Sequence, residues 1–320
     1  MIGVVVLNYN TWALAVRCIA RIEQVTTVLH RIYAVDNASP DGSWGHLESE
    51  FASRGWKAPG YELIAAGENG GYSAGNNIGI KRALEAGCDQ IMIVNSDVFL
   101  ENDAIALMSA ALRDTDEIAV VGPAVFDPAG APTHYVRAPL NFHGYIANKK
   151  PFNRFISTGG NHDRYEPRNI GIMGDSDLFV FDGMVSGCCF MIKSEVFLKT
   201  GLLDENVFLN HEEDILAYKI KEAGYRCGFL KSAKVVHHHS SSVSKRGSAF
   251  ERYHRYLSSI YVLKVYAHEP FFRLVAAALL NVAPYALNSI RNAEYAKRLP
   301  SFLRTNVDII VSSSPPRIRA

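Results

Sequence analysis

Short, almost wholly apolar runs recur along the first 125 residues, and most are followed by a longer stretch whose apolar positions fall three and four apart. Residues 3–9 (GVVVLNY), 31–36 (RIYAVD), 61–66 (YELIAA), 90–95 (QIMIVN) and 118–127 (IAVVGPAVFD) have the length and β-branched content of buried strands. Residues 12–25, with Trp12, Leu14, Ala15, Ile19 and Ile22, predict a helix, as do stretches near 43–54, 77–86 and from Asn102 or Asp103 onward. Strands alternating with helices imply parallel βαβ units, whose strands are apolar on both faces. The expected fold is α/β: a Rossmann-like, doubly wound, mostly parallel sheet. Its carboxyl edge would gather Asn8, Asp36 and Asp97, which end the first, second and fourth strands. Ligands of open α/β sheets bind along that edge.

The pattern breaks between 127 and 180, where Pro, Gly, Asn, His and aromatics are scattered without a period. This reads as a long irregular connection that could close over a site as a lid. Order returns at 178–197, a strand or hairpin leading into a helix. Residues 211–225 (HEEDILAYKIKEAGY) predict a helix stopped at Gly224. RCGFL and AKVVHH suggest two further short strands. From 249 the pattern is helical and rich in Tyr, Arg and aliphatics, so the chain divides into 1–248, with halves 1–125 and 126–248, and a helical extension over 249–320.

Composition narrows the classes. A net charge of +1 supplies no global field for nucleic acid. Five cysteines, an odd number without a CxxC pair, fit reduced thiols in a cytoplasmic protein better than a zinc or disulfide framework. The first residues are too short and too poor in basic residues for a signal peptide. The most apolar stretch, 271–290, is interrupted by Arg273, Asn281 and Pro284, which argues against a membrane span.

Several clusters carry candidate chemistry. Asp36, opening NASPDGS, suits a hydrogen bond from a nucleobase or ribose, but no GxGxxG follows the first strand, which weakens a dehydrogenase reading. The Gly/Asn-rich ENGGYSAGNN would let backbone N–H groups approach an anion. Asp97 in NSD offers a hard oxygen ligand for Mg²⁺ or Mn²⁺. Glu212, Glu213 and Asp214 favour a helix N-terminus, and close acids with separated pKa values also suit a general base. Of the three histidines at 237–239, at most two can share one face of a strand, so one of them joining Asp97 is the simpler metal reading.

Seven pieces in one order, VVVLNYN, VDNASPDGS, ENGGYSAGNN, IVNSDV, VSGCCFMIKSEVF…GLLDENVF, HEEDILAYKIKEAGY and VVHHHSSS, resemble the family 2 glycosyltransferases of the GT-A fold over roughly residues 3–242. The subgroup they resemble most is the bacterial rhamnosyltransferase-like enzymes of cell-surface glycan synthesis. The resemblance implies that Asp36 and Asn37 meet the nucleoside beside Leu7, Asn8 and Tyr9. It places Gly71, Tyr72, Asn76 and Asn77 along the nucleotide-sugar pocket, with Asn95, Ser96 and Asp97 where the family has its DxD-type motif. Asn95 replaces the first acid of that motif, leaving Asp97 as the one carboxylate for a metal. His237 fits the family's downstream histidine through its spacing to Ser242, with His238 and His239 as alternatives. The base falls on Glu213 in both alignments of the acidic motif, paired with Glu212 in one and with Asp214 in the other.

Inverting transfer from a nucleoside-diphosphate sugar, dTDP-rhamnose or a UDP-sugar, to a glycan or lipid-linked hydroxyl would follow, with Mn²⁺ or Mg²⁺ as cofactor. The helical extension would suit peripheral contact with the inner face of the cell membrane, or a homodimer contact. A nucleotidyltransferase would want a basic Gly-rich loop after the first strand, which this chain lacks. A non-catalytic nucleotide-sugar binder would have little use for the acids at 212–214.

Overall fold

The computed structural model describes residues 1–133, 136–147, 149, 176–238 and 248–320. Nine strands form one mixed sheet: β1 (Ile2–Asn8), β2 (His30–Asp36), β3 (Tyr61–Ala65), β4 (Gln90–Asn95), β5 (Val98–Leu100), β6 (Ile118–Phe126), β7 (Leu178–Phe181), β8 (Cys189–Lys193) and β9 (Arg226–His237). Their order is β3-β2-β1-β4-β8-β6-β9-β5, with β7 also on β9. Strands β3, β2, β1 and β4 are parallel, as are β6 and β9, while β8, β5 and β7 run against their neighbours. The central strands are apolar on both faces because both are covered. Val4, Val5 and Val6 are fully buried, each contributing roughly 1.5–3 kcal/mol relative to exposure.

Helices α1 (Trp12–Val25), α2 (Ser43–Ser53) and α4 (Ala104–Asp114) cover one face, where Ile19, Leu47 and Met108 share a core with Val4 and Val6. Helices α3 (Gly71–Glu85), α6 (Ser194–Thr200) and α7 (Glu212–Glu222) cover the other, where Ile80, Val196 and Leu216 pack with Val5. A third core joins α8 (Ala249–Val265), α9 (Phe271–Ser289) and α10 (Ala293–Val311) to Leu140, Tyr145, Val207 and Ile215. Tyr145 belongs to the short α5 (Phe142–Ala147). The helical extension therefore packs on the segment that leads into α7.

Several expectations change in detail. The helix expected from 77 begins earlier: after a short loop over 67–70, the Gly/Asn-rich stretch forms the first turns of α3 from Gly71. Gly75 and Gly79 let that helix lie on the sheet, since a Cβ there would sit 2.7 Å from Leu7 Cδ1 and 2.6 Å from Val5 Cγ1. The 178–197 stretch is no hairpin: β7 pairs with β9, while β8 slips between β4 and β6. RCGFL and AKVVHH are one strand, broken in register between Pro123↔Leu230 and Ala124↔Lys234. There Lys231 N and Ser232 N turn outward to Asp177. The pattern gave no sign of β5, three residues antiparallel to the end of β9. Most of the expected 127–180 lid, and residues 239–242 of the histidine motif, lie outside the described residues.

Candidate functional site

The carboxyl edge gathers the three strand ends. Asn8 and Asp36 are partners in register, and Leu7 pairs with Asn95. Asn8 Nδ2 donates to Asp36 Oδ1 at 2.7 Å, and Ser39 Oγ donates to the same oxygen at 2.6 Å. Thr11 Oγ1 donates to Asn8 Oδ1 at 3.1 Å and lies 2.8 Å from Ser96 Oγ. A continuous chain of polar groups thus runs from Asp36 to the Asn95–Ser96–Asp97 turn. Leu7 and Tyr9 flank it half-buried.

The N-terminus of α3 closes one side. Asn69 Oδ1 accepts from Gly71 N at 3.0 Å and from Asn37 Nδ2 at 2.9 Å. Gly71 has φ +89, and a Cβ there would lie 2.2 Å from Phe208 O, so only glycine fits. Tyr72 N donates to Phe208 O at 3.1 Å. Asn37 Oδ1, Ser73 Oγ and Asn76 Oδ1 are buried without a hydrogen-bond partner. A buried polar atom left unpaired costs about 1–3 kcal/mol, so three of them at one edge suit a polar ligand. Asn77 is tied into the fold: its amide bridges Leu203 N, Leu203 O and Glu205 Oε1.

Strand β5 accounts for the meeting of Asp97 and His237, 140 positions apart in the chain. Its first residue, Val98, pairs with His237, and His238 N donates to Asp97 O. Asp97 Oδ1 and His237 Nε2 come within 3.3 Å. Burial alone would lower the imidazole's pKa, but the hydrogen bonds to Asp97 and Cys188 outweigh it and raise it to about 10. Among the described residues no cluster of three His, Cys, Asp or Glu forms a metal site. One carboxylate and one imidazole still fit Mg²⁺ or Mn²⁺, which would displace the imidazole proton on binding, take few protein ligands and fill the remainder with phosphate oxygens and water.

The acids of α7 occupy three different environments. Asp214 is fully buried: both oxygens meet Arg137, at 2.9 and 2.8 Å, and it also accepts from Leu140 N at 2.7 Å and contacts His211 Nδ1 at 2.8 Å. Burial alone would raise its pKa, but Arg137 and His211 hold it well below the usual carboxylate range. Glu212 is buried with Oε1 unpartnered, and burial together with the charge of Glu213 pushes it up to about 8. Glu213 is only half-buried, and its Oε1 accepts from Gly187 N at 3.2 Å. The Gly187–Cys188 step joins the motifs. Asn95 N donates to Cys188 O at 2.9 Å, and the Tyr72 hydroxyl donates to Gly187 O.

A sequence model described as glycosyl transferase family 2 matches residues 3–200. The chain belongs to that family. This glycosyltransferase is 25% identical to the N-acetylglucosaminyl-diphospho-decaprenol L-rhamnosyltransferase of Mycobacterium tuberculosis over 85% of its own length and 87% of the relative's. Its fold is that of GalNAc-T7, solved with UDP, GalNAc and Mn²⁺: TM-score 0.61, 16% identity, 83% of this chain covered. The chain spans about half of GalNAc-T7, 48%. The mannosyltransferase PcManGT of Pyrobaculum calidifontis, solved with GDP-Man and Mn²⁺, aligns over 98% of this chain and 88% of its own at TM-score 0.53 and 15% identity. The GT-A expectation therefore holds.

The structure also brings to the site residues that the sequence did not single out. Arg137 reaches Asp214 from the aperiodic segment, held by a backbone pair with Met184. His211 takes a left-handed φ of 73 at the start of α7, which turns its ring back onto Asp214. Gly187 lies within a quoted motif, but its role shows only in space, since a Cβ there would sit 2.3 Å from Glu213 Oε1. Thr11 and Ser39 follow the first two strand ends, where short hydroxyl residues are ordinary turn formers and carry no separate signal.

Proposed function

We propose that this family 2 glycosyltransferase moves a sugar, with inversion, from a nucleoside-diphosphate sugar to a hydroxyl of a glycan or lipid-linked acceptor in cell-surface polysaccharide synthesis. The observation that carries the reading is the Gly187–Cys188 step, which hydrogen-bonds Asn95 on one side and Glu213 on the other. It links the part-exposed acid at the start of α7 to the strand end that leads into Asp97. The rhamnosyl transfer named for the mycobacterial relative favours dTDP-rhamnose as donor, with a UDP-sugar as the alternative. Its decaprenol-linked substrate favours a lipid-linked acceptor at the cytoplasmic face of a membrane.

Asp36, with Asn8 and Ser39 fixing its oxygens, holds the nucleoside, and Asn37 and Asn76 turn unpaired carbonyls to the donor. Asp97 and His237 would hold Mn²⁺, the metal of both solved neighbours, or Mg²⁺. When bound, it would offset charge on the nucleoside diphosphate as that group leaves the anomeric carbon. Glu213 takes the acceptor proton as the oxygen attacks the anomeric carbon. Of the three acids it is the one neither locked in an ion pair nor fully buried. Asp214 positions α7, and Glu212 stays largely protonated at neutral pH.

Two variants test this. Glu213→Gln should bind the nucleoside diphosphate normally by calorimetry and lose transfer on the order of 10²-fold or more. Asp97→Ala should lose metal-dependent nucleotide affinity while remaining folded, with some loss of stability from the stranded His237. Full transfer by Glu213→Gln would remove the base assignment, and unchanged metal dependence in Asp97→Ala would remove the metal site. Calorimetry across UDP, dTDP and GDP names the donor's base.

A further inference from the structure

Helix α9 is two-sided in an unusual way. Leu274, Ala277, Asn281 and Tyr285 form its buried side, with Tyr285 stacked on Phe302 at 4.2 Å and Asn281 Nδ2 donating to Tyr256 O at 3.3 Å. The opposite side should be polar in a helix that faces water. Instead Phe272, Leu279, Leu287 and Ile290 are each more than 60% exposed. At 3.6 residues per turn they fall within about 80° of arc, so they form one stripe. The next helix repeats the pattern, with Val307 and Val311 exposed one turn apart on α10.

Charge says what covers these stripes. Residues 249–320 carry ten Lys and Arg against four Asp and Glu, whereas residues 1–248 carry 23 against 28. The basic excess thus belongs to the layer that exposes the apolar stripes. Arg291 directly follows Ile290, and Lys297 opens the exposed side of α10; both are exposed. Apolar side chains beside cations, on helices whose other side is locked into a core, are the makings of an interfacial helix pair. Helix α9 is also long and apolar enough for a span by composition. Crossing a bilayer would require it to abandon Tyr285, Asn281 and the core they complete.

We propose that the exposed sides of α9 and α10 dock this enzyme on an anionic lipid surface, with the apolar stripes in the headgroup boundary and Arg291 and Lys297 on the phosphates. The docked layer also reaches the catalytic segment. Ser258 Oγ on α8 donates to Leu209 O at 3.1 Å, and Tyr261 and Tyr266 donate to Asp204 at 2.9 and 2.7 Å, just ahead of α7. An acceptor held in the same surface would be presented from that side. The biological purpose rests on the lipid-linked acceptor reading above, but the docking itself does not.

The test therefore uses no sugar. The full chain is sedimented with vesicles of equal parts phosphatidylglycerol and phosphatidylcholine, and with phosphatidylcholine alone. Partition is expected onto the mixed vesicles, weakened by high salt and released by alkaline carbonate. Arg291→Gln with Lys297→Gln should lower it about 30-fold. Leu279→Ser, Leu287→Ser and Ile290→Ser together should lower it at least about tenfold, while melting temperature and nucleotide affinity stay unchanged. No partition, or partition untouched by the triple variant, overturns the proposal. So does resistance to carbonate, which would mark a span. A dimer that the triple variant splits without affecting vesicle binding would assign the stripes to a second copy of the chain.

Discussion

Arg137→Met tests the clamp that fixes the acidic helix. The Asp214 carboxylate is fully buried and holds two bonds from Arg137, one from Leu140 N and one with His211. Removing one partner of a buried pair costs about 3–5 kcal/mol, because the remaining charge stays desolvated. The lower end applies here, since two partners remain and the guanidinium is itself 31% exposed. Urea unfolding at pH 7 should therefore show a loss of about 3 kcal/mol. The pH dependence follows from linkage. A carboxylate whose folded pKa is depressed contributes stability that is present above its unfolded pKa and is lost as pH falls through the folded one. Wild type carries that contribution at neutral pH and the variant largely lacks it, so the two curves should converge as the pH drops below the ordinary Asp range. Asp214→Asn added to Arg137→Met removes the stranded charge and should recover part of the loss. A single variant within about 0.5 kcal/mol of wild type, or a double variant weaker than the single, would refute the buried-charge reasoning.

Two further outcomes follow from neighbouring geometry. Gly187→Ala places a methyl 2.3 Å from where Glu213 Oε1 now sits. It should cut kcat by about tenfold or more with nucleotide Kd unchanged, and an unaffected kcat would show that Glu213 works from another position. His254 is buried among Phe208, Phe250 and Tyr253 with both ring nitrogens unpartnered, and burial, with Arg298 nearby, lowers it to about 3. Its depressed folded pKa means that stability is lost as pH falls from its ordinary value of 6.5 toward 3, about 2 kcal/mol of it by pH 5. His254→Leu should flatten that slope between unfolding curves at pH 7.5 and pH 5; equal slopes would show that the histidine is not the sensor.

The parts of the fold that could be read from the sequence are those in which the local pattern decides the structure. The five runs of the first 125 residues are short, apolar and rich in β-branched residues, as with Val4, Val5 and Val6, which suits strands buried on both faces. Register then aligns Asn8 with Asp36 automatically. The unreadable parts are those decided by distant partners. Strand β5 has three residues, too few for any period, and exists because the end of β9 offers it a ladder. Strand β8 reads like any apolar run, and nothing local says that it enters antiparallel between β4 and β6. Arg137 lies in an aperiodic stretch, and its partner is 77 residues on.

The same distinction separates the acids of α7. In sequence Glu212, Glu213 and Asp214 are equivalent, three carboxylates that each favour a helix N-terminus. Successive residues of a helix point about 100° apart, so three neighbours cannot share one environment. Asp214 turns inward to Arg137, where charge is compensated. Glu212 turns inward where it is not, and is pushed toward its neutral form. Glu213 is left facing the Gly187–Cys188 step and the Asp97 edge beyond it. A base must be charged, reachable and steady at once. For the base role proposed for Glu213, the ion pair on one side would supply the steadiness, and the suppressed charge on the other would keep a second carboxylate from competing for the acceptor's proton.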